Sequence, residues 1–572
     1  VTTTPWGPAG FELRAVWPGL ELVRWLALHD GGLRWRERWT NVGPTIRGVP
    51  FGHRFFLRGG EPSVRVGGSA DVTAVASSPT NPTLFFETTG GKGLGITAES
   101  DELRLLLGWR ARVDLAEAYT HWLALAPGKS LEFAWSIMPV AAGGYWSFIN
   151  GLRQRWGVQG TMDRPLFWGF ARRPGVADPT EQVRQSLGHL GPLYVTVSPW
   201  QRLEPDAKVV RGGSYPKLPR EAPATSGPSP ELDADTFLTF AHRERYWKQF
   251  ELEVARLREA GPEVRPLAMT HPAMEAVYKP LHSRWPIAGE VIRNADGEPF
   301  EDAGYSRAWL GDATAKGWGV YYHVPRPGSV YLAAILADID RALACGAAGI
   351  YCDEFSWGLN TRGYSRYDYS RWDGFSADLD PAGEVLRLKC DNAAITEAAQ
   401  LQMVGAAAAQ GRFFLGNGGN VLRSLTRLPL HRFVEGGNGV SWMYYGHLSP
   451  VPLVLGNFGD QTSRQGVFEA VKMCLANGAV YSPMAVNLLL EGRDNFVSRQ
   501  YPLTVTELGP GWVAGRERLI TTVARPLPWP APVKVYRYDA TGALLGSETL
   551  PAATAVEVPA GGLVIAERQP TA

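Results

Sequence analysis

At 572 residues the chain is too long for one simple core and suggests roughly two to four domains. Its 57 Lys and Arg nearly balance 56 Asp and Glu, for a net charge of +1, and 45% of it is hydrophobic, so neither intrinsic disorder nor a nucleic-acid footprint is expected. No apolar run reaches the ~18 residues that a membrane helix requires, so no membrane partner is expected.

Residues 6 to about 140 alternate apolar and polar side chains in short runs, as in Leu20-Glu-Leu-Val-Arg-Trp-Leu and Leu33-Arg-Trp-Arg-Glu-Arg-Trp. Bounded by Gly, Pro and Asn, these runs predict an antiparallel β-sandwich over 1–142. A helical linker over 143–164 follows, from Gly143-Gly-Tyr-Trp-Ser-Phe to the boundary at Arg164-Pro165.

From Leu166 the rhythm becomes short buried strands separated by helical stretches, the pattern of a parallel α/β sheet. Eight strands are expected, at Leu166-Phe-Trp-Gly-Phe, Leu193-Tyr-Val-Thr-Val, Val264-Arg-Pro-Leu-Ala-Met, Gly349-Ile-Tyr-Cys-Asp, Phe413-Phe-Leu-Gly-Asn, Arg432-Phe-Val-Glu, Leu453-Val-Leu-Gly-Asn and Ala479-Val-Tyr-Ser. Helical composition fills 237–259, 330–344 and 383–410. The fold class is thus α/β multidomain: a (β/α)8 TIM barrel over 165–497, flanked by the N-terminal sandwich and by a small C-terminal β-domain over 498–572 where alternation returns. Two insertions, 201–233 and 271–329, follow strands and would crown the same face; the second carries Tyr305, Trp309, Trp318, Tyr321 and Tyr322.

Cys345, Cys352, Cys390 and Cys474 lack metal-site spacing and flank apolar runs, so they read as buried thiols. Asp302, Asp312, Asp338 and Asp340 are scattered, without the spacing of a calcium loop; neither metal nor cofactor is expected. A start at Val1 without an initiator Met fits a processed secreted or periplasmic protein as well as a trimmed chain.

The chemistry concentrates at strand ends. Ala344-Cys-Gly-Ala-Ala-Gly-Ile-Tyr-Cys-Asp-Glu-Phe-Ser-Trp357 is a buried strand that emerges in adjacent carboxylates, and carboxylates at the end of a buried strand mark a candidate site. Asp353 pairs with Glu435, which ends the sixth strand. Cleavage of a glycosidic bond needs one carboxylate at the anomeric carbon and a second carboxyl to protonate the departing oxygen. Asp353 is expected to be the nucleophile and Glu435 the acid/base, the latter in a drier setting between Phe433-Val434 and Gly436-Gly437. Regular pleating would turn Glu354 away from Asp353, as a supporting acid. The competing roles are structural: a helix cap or Arg partner for Asp353, and a salt bridge to Arg432 for Glu435.

Substrate contacts are expected from Trp168, Trp200 and Trp357 as aromatic walls, from Asn417 and Asp460 after their strands, from His271 and His323, from Glu354, and from Arg326. Aromatic residues make up 11% of the chain, many of them in Gly- and Pro-rich loops, which suits a carbohydrate substrate.

This layout resembles the retaining α-glycosidases of the melibiase-like α-galactosidase group and the endo-α-N-acetylgalactosaminidase families. The resemblance implies an Asp nucleophile ending the fourth barrel strand and an Asp or Glu acid/base ending the sixth, the positions of Tyr351-Cys352-Asp353 and Phe433-Val434-Glu435. Tyr351 stands where the melibiase-type motif carries Lys, and a Glu on the sixth strand agrees better with the endo-α-N-acetylgalactosaminidase type. The expected activity is hydrolysis of α-glycosidic bonds with retention. The alternatives are an inverting or sialidase-like enzyme, with Arg326, Arg464 and Arg493 taking a substrate carboxylate, and a carbohydrate-binding protein without catalysis.

Overall fold

The computed structural model describes residues 1–569 except 8, 30, 57–62, 73–77, 89, 112–114, 168–178, 198–243, 285–286, 308–313, 316, 356–365, 437–439, 457–459, 461–462, 484–491 and 493–494. The N-terminal region builds an eight-stranded antiparallel sheet in which Gly10–Trp17, Leu20–His29 and Gly32–Asn41 run side by side and Ser130–Val140 adds to their edge. Gly19 supplies the positive φ of +77° in the two-residue turn between the first two of these strands. A three-stranded sheet of Phe51–Phe56, Gly108–Ala111 and Leu115–Thr120 shares its apolar core, where Trp35 stacks on Trp135 with ring centroids 5.3 Å apart.

A carboxylate lies inside that core. Glu37 is fully buried, and accepts from Arg24 Nη2 at 3.0 Å and from Trp135 Nε1 at 3.3 Å, with His53 Nε2 at 2.9 Å. Burial alone would push its carboxyl up, but the His53 and Arg24 partners outweigh it and hold the group below its ordinary value of 4.5. Stability from this carboxylate is therefore fully present above pH 4.5 and lost as pH falls through the lowered folded value. Glu37→Ala strands three donors in an apolar core and is expected to cost about 3 kcal/mol, read as an earlier urea transition of the N-terminal region.

The central sheet is parallel and follows chain order. Its strands are β1 (Leu166–Phe167), β2 (Leu193–Val197), β3 (Val264–Thr270), β4 (Gly349–Cys352), β5 (Phe413–Asn417), β6 (His431–Gly436), β7 (Leu453–Gly456) and β8 (Val480–Pro483). All eight expected segments contribute a strand, and β1 and β8 approach one another as the sheet curls. Helices Pro179–Leu190, Glu244–Ala260, Val330–Ala344, Asn392–Ala408 and Arg464–Ala476 alternate with the strands. Among the described residues, the connections after β5 and β6 carry 3-10 turns, Ser424–Arg427 and Val440–Gly446, in place of α-helices. The first of these connections spans only residues 418–430 and opens on Gly418-Gly419-Asn420, which favour a turn over helical continuation.

Two insertions follow the C-terminal ends of β3 and β4. The insertion after β3 folds as a hairpin of Met274–Tyr278 with Trp318–Tyr322. The segment after β4 reaches the N-terminal region, where Ala124 N donates to Phe375 O and Ala377 N to Trp122 O, both at 2.8 Å. It also meets the insertion, since Arg293 N donates to Asp368 Oδ1 at 3.1 Å. Helix Gly144–Trp156 links to a seven-stranded C-terminal sheet that also takes in Thr161–Met162, ahead of β1. Cys352, Cys390 and Cys474 are buried, whereas Cys345 at the end of Val330–Ala344 is only half-buried.

Candidate active site

Strand register brings the central residues together. Tyr351 pairs with Leu415 across β4 and β5, and Asn417 pairs with Phe433 across β5 and β6. Alternation then points Tyr351 and Asp353, Leu415 and Asn417, and Phe433 and Glu435 to one face. Asn417, on the middle strand, lies between the two acids.

Its amide links them. Asn417 Nδ2 donates one hydrogen to Asp353 Oδ1 at 2.8 Å and the other to Glu435 Oε2 at 3.1 Å. The opposite amide orientation would set a carbonyl oxygen against two carboxylates, so this rotamer is fixed by its partners. The two acceptor oxygens are no further apart than these bonds laid end to end, at most about 5.9 Å.

Asp353 is buried and held from three sides. Besides Asn417, Tyr351 Oη donates to Oδ1 at 2.7 Å and the Glu354 N–H at 3.0 Å. Burial and the neighbouring Asp353 and Glu435 charges push the Tyr351 phenol well above its ordinary value, so its proton stays in place as a donor. Burial and the Asp353 charge likewise raise the Cys352 thiol, which keeps it protonated and inert.

Two expectations change here. Glu435 is exposed at the strand end, not in a drier pocket: its apolar neighbours Phe433 and Val434 lie lower in the strand, where they are buried, while the carboxylate projects from the edge. Glu354 does not continue the pleat. The strand stops at Cys352, and Glu354 adopts φ +46°, a left-handed conformation that a side chain rarely takes. That turn aims its N–H at Asp353 and sends its carboxylate to Tyr305 Oη at 2.6 Å, Tyr322 Oη at 3.1 Å and His271 Nε2 at 3.4 Å.

The other expected contacts divide. His271, just past β3, joins the cluster through Glu354. His323 does not reach it: it is fully buried against His282, with Nε2 to Nε2 3.2 Å, and packs on Tyr331. Burial and nearby His282 hold its ring neutral, with its pKa well below the ordinary value. Arg326 lies beside Glu290, ahead of helix Val330–Ala344, and Asp460 is exposed ahead of helix Arg464–Ala476. Arg432 turns to the opposite face, donating to Gly419 O at 2.6 Å with its guanidinium over Phe355, so it is not the partner of Glu435. Trp168, Trp200, Trp357 and Arg493 lie outside the described residues.

Tyr351, Tyr305 and Tyr322 are part of the site although the sequence did not single them out as site residues. Tyr351 carried a signal, standing two residues before Asp353 and so on the same face. The other two, 49 and 32 residues from Glu354 along the chain, carried only their place among the aromatics of the 271–329 insertion, with nothing that tied them to Glu354.

No family model matches the sequence, and no curated protein matches it. Solved structures do. The α-N-acetylgalactosaminidase NagBb of Bifidobacterium bifidum in complex with Gal-NHAc-DNJ superposes with a TM-score of 0.54 at 11% identity, over 91% of this chain and 89% of that one. Its GalNAc complex gives 0.53 at 11% identity, over 91% and 88%, and the ligand-free form 0.54 at 12%, over 91% and 88%. At such identity the likeness is one of fold alone.

Proposed function

We propose that the protein is a glycoside hydrolase that cleaves α-glycosidic bonds with retention, in which the curled sheet is a (β/α)8 barrel, Asp353 attacks the anomeric carbon and Glu435 is the acid/base. The observation that carries this is the Asn417 amide shared by both acids. Retaining enzymes hold their carboxyls about 5–5.5 Å apart, whereas inverting ones leave about 6.5–9.5 Å for a water. The two bridged oxygens, at most about 5.9 Å apart, stand nearer the first range than the second, which supports retention.

Three donors on Asp353 Oδ1 suit a carboxylate that accepts, orients and attacks. Glu435, exposed at the strand end, can hand its proton to a leaving group entering from solvent and then take one from water. The fold likeness to an α-N-acetylgalactosaminidase makes an aryl α-N-acetylgalactosaminide the first substrate to try, followed by other neutral aryl α-glycosides, sialosides and uronides. NMR of the first product tests the stereochemistry: the α-anomer supports double displacement, and the β-anomer overturns it.

Asn417→Ala removes the donor common to both acids and is expected to lower kcat about 10²-fold with little change in melting temperature. Steady-state kinetics beside a thermal melt checks it, and near-normal turnover would remove the amide from the mechanism.

A further inference from the structure

Glu354 combines an unfavourable backbone with an unusually well-held side chain. At φ +46° its N–H reaches Asp353, while its carboxylate takes donors from two parts of the insertion after β3. Tyr305 comes from the short turn Ala303–Tyr305, itself fixed by Asp302 Oδ1 accepting from Tyr305 N at 2.8 Å, and Tyr322 ends the Trp318–Tyr322 strand. His271 is the third donor. Its Nδ1 accepts from Ala273 N at 3.1 Å and from Met274 N at 2.9 Å, which leaves the ring proton on Nε2, directed at Glu354 Oε2. The insertion is thereby tied to the residue next to Asp353.

We propose that Glu354 is a positioning residue with two separable tasks: its backbone N–H sets the orientation of Asp353, and its carboxylate holds the insertion hairpin as a wall of the substrate site. The kinetic part rests on Asp353 being the nucleophile. The two tasks are coupled, because three donors on the carboxylate keep the backbone in a conformation it would otherwise leave.

Glycine and alanine separate them. Glu354→Gly removes the carboxylate but adopts the left-handed region freely, so the N–H to Asp353 stays available. Glu354→Ala also removes the carboxylate yet keeps the backbone penalty with nothing to oppose it, so the N–H withdraws. Both variants are expected to raise KM, and Glu354→Ala should have a kcat about tenfold below that of Glu354→Gly. The double change Tyr305→Phe with Tyr322→Phe should reproduce the rise in KM with a smaller effect on kcat. Hydrogen exchange at Met274–Tyr278 and Trp318–Tyr322 should quicken in all three, a readout that needs no substrate. Equal kcat for the Gly and Ala variants would overturn the backbone task, and unchanged exchange in the hairpin would overturn the tether. If the wild-type protein turns over no glycoside while exchange responds as expected, the hydrolase reading fails and the tether stands.

Discussion

Replacing Asp353 with Asn is expected to reduce turnover of an aryl α-glycoside by about 10³-fold or more, while the protein melts at nearly the wild-type temperature. Asn preserves the shape and one oxygen acceptor for the Tyr351, Asn417 and Glu354 donors, so the fold has little to lose. What disappears is the negative charge that the proposed attack on the anomeric carbon needs. Asp353→Gly supplies a complementary test, because it opens room for an external nucleophile. Azide would then attack C1 from the face Asp353 had occupied, forming a C–N bond as the aryloxide leaves, and would give the β-glycosyl azide. Activity of Asp353→Asn close to wild type would transfer the nucleophile role elsewhere, and an α-azide from the Gly variant would contradict direct attack on that face.

The eight central strands were legible because buried parallel strands are apolar on both faces and read as continuous runs, such as Leu193-Tyr-Val-Thr-Val, cut off by Gly or Pro. The two carboxylates and Asn417 were legible for a related reason: polar residues ending such runs stand out against them. Their mutual geometry was not, since it depends on the register of β4, β5 and β6, which brings residues 64 and 18 apart in the chain to a single amide.

Local rules failed where distant elements decided the outcome. Pleating predicted the side of Glu354 correctly only for a strand that continues, and three donors from the insertion draw it into a left-handed turn instead. Dryness at Glu435 was inferred from its chain neighbours, yet exposure at a strand end is set by what the adjoining loops cover. His323 shows the converse. A histidine in an aromatic insertion looked available to substrate, and packing against His282 and Tyr331 removes it from solvent entirely.

Glu435→Ala is expected to have an effect that depends on the leaving group, which distinguishes it from Asp353. With a leaving group that needs a proton, loss of the general acid should lower kcat/KM by about 10²–10⁴-fold. With a dinitrophenyl α-glycoside, whose phenolate departs without protonation, the first step should be spared. The second step still lacks its general base, so the covalent intermediate on Asp353 accumulates and a burst of dinitrophenol precedes slow turnover. Azide needs no base and should speed the steady state, attacking the intermediate from the face that Glu435 guards to give the α-glycosyl azide. The anomer of the azide product thus reads out each acid's role: β when Asp353 is removed, α when Glu435 is removed. A uniform loss across leaving groups, with no burst and no azide product, would show that Glu435 is not the acid/base.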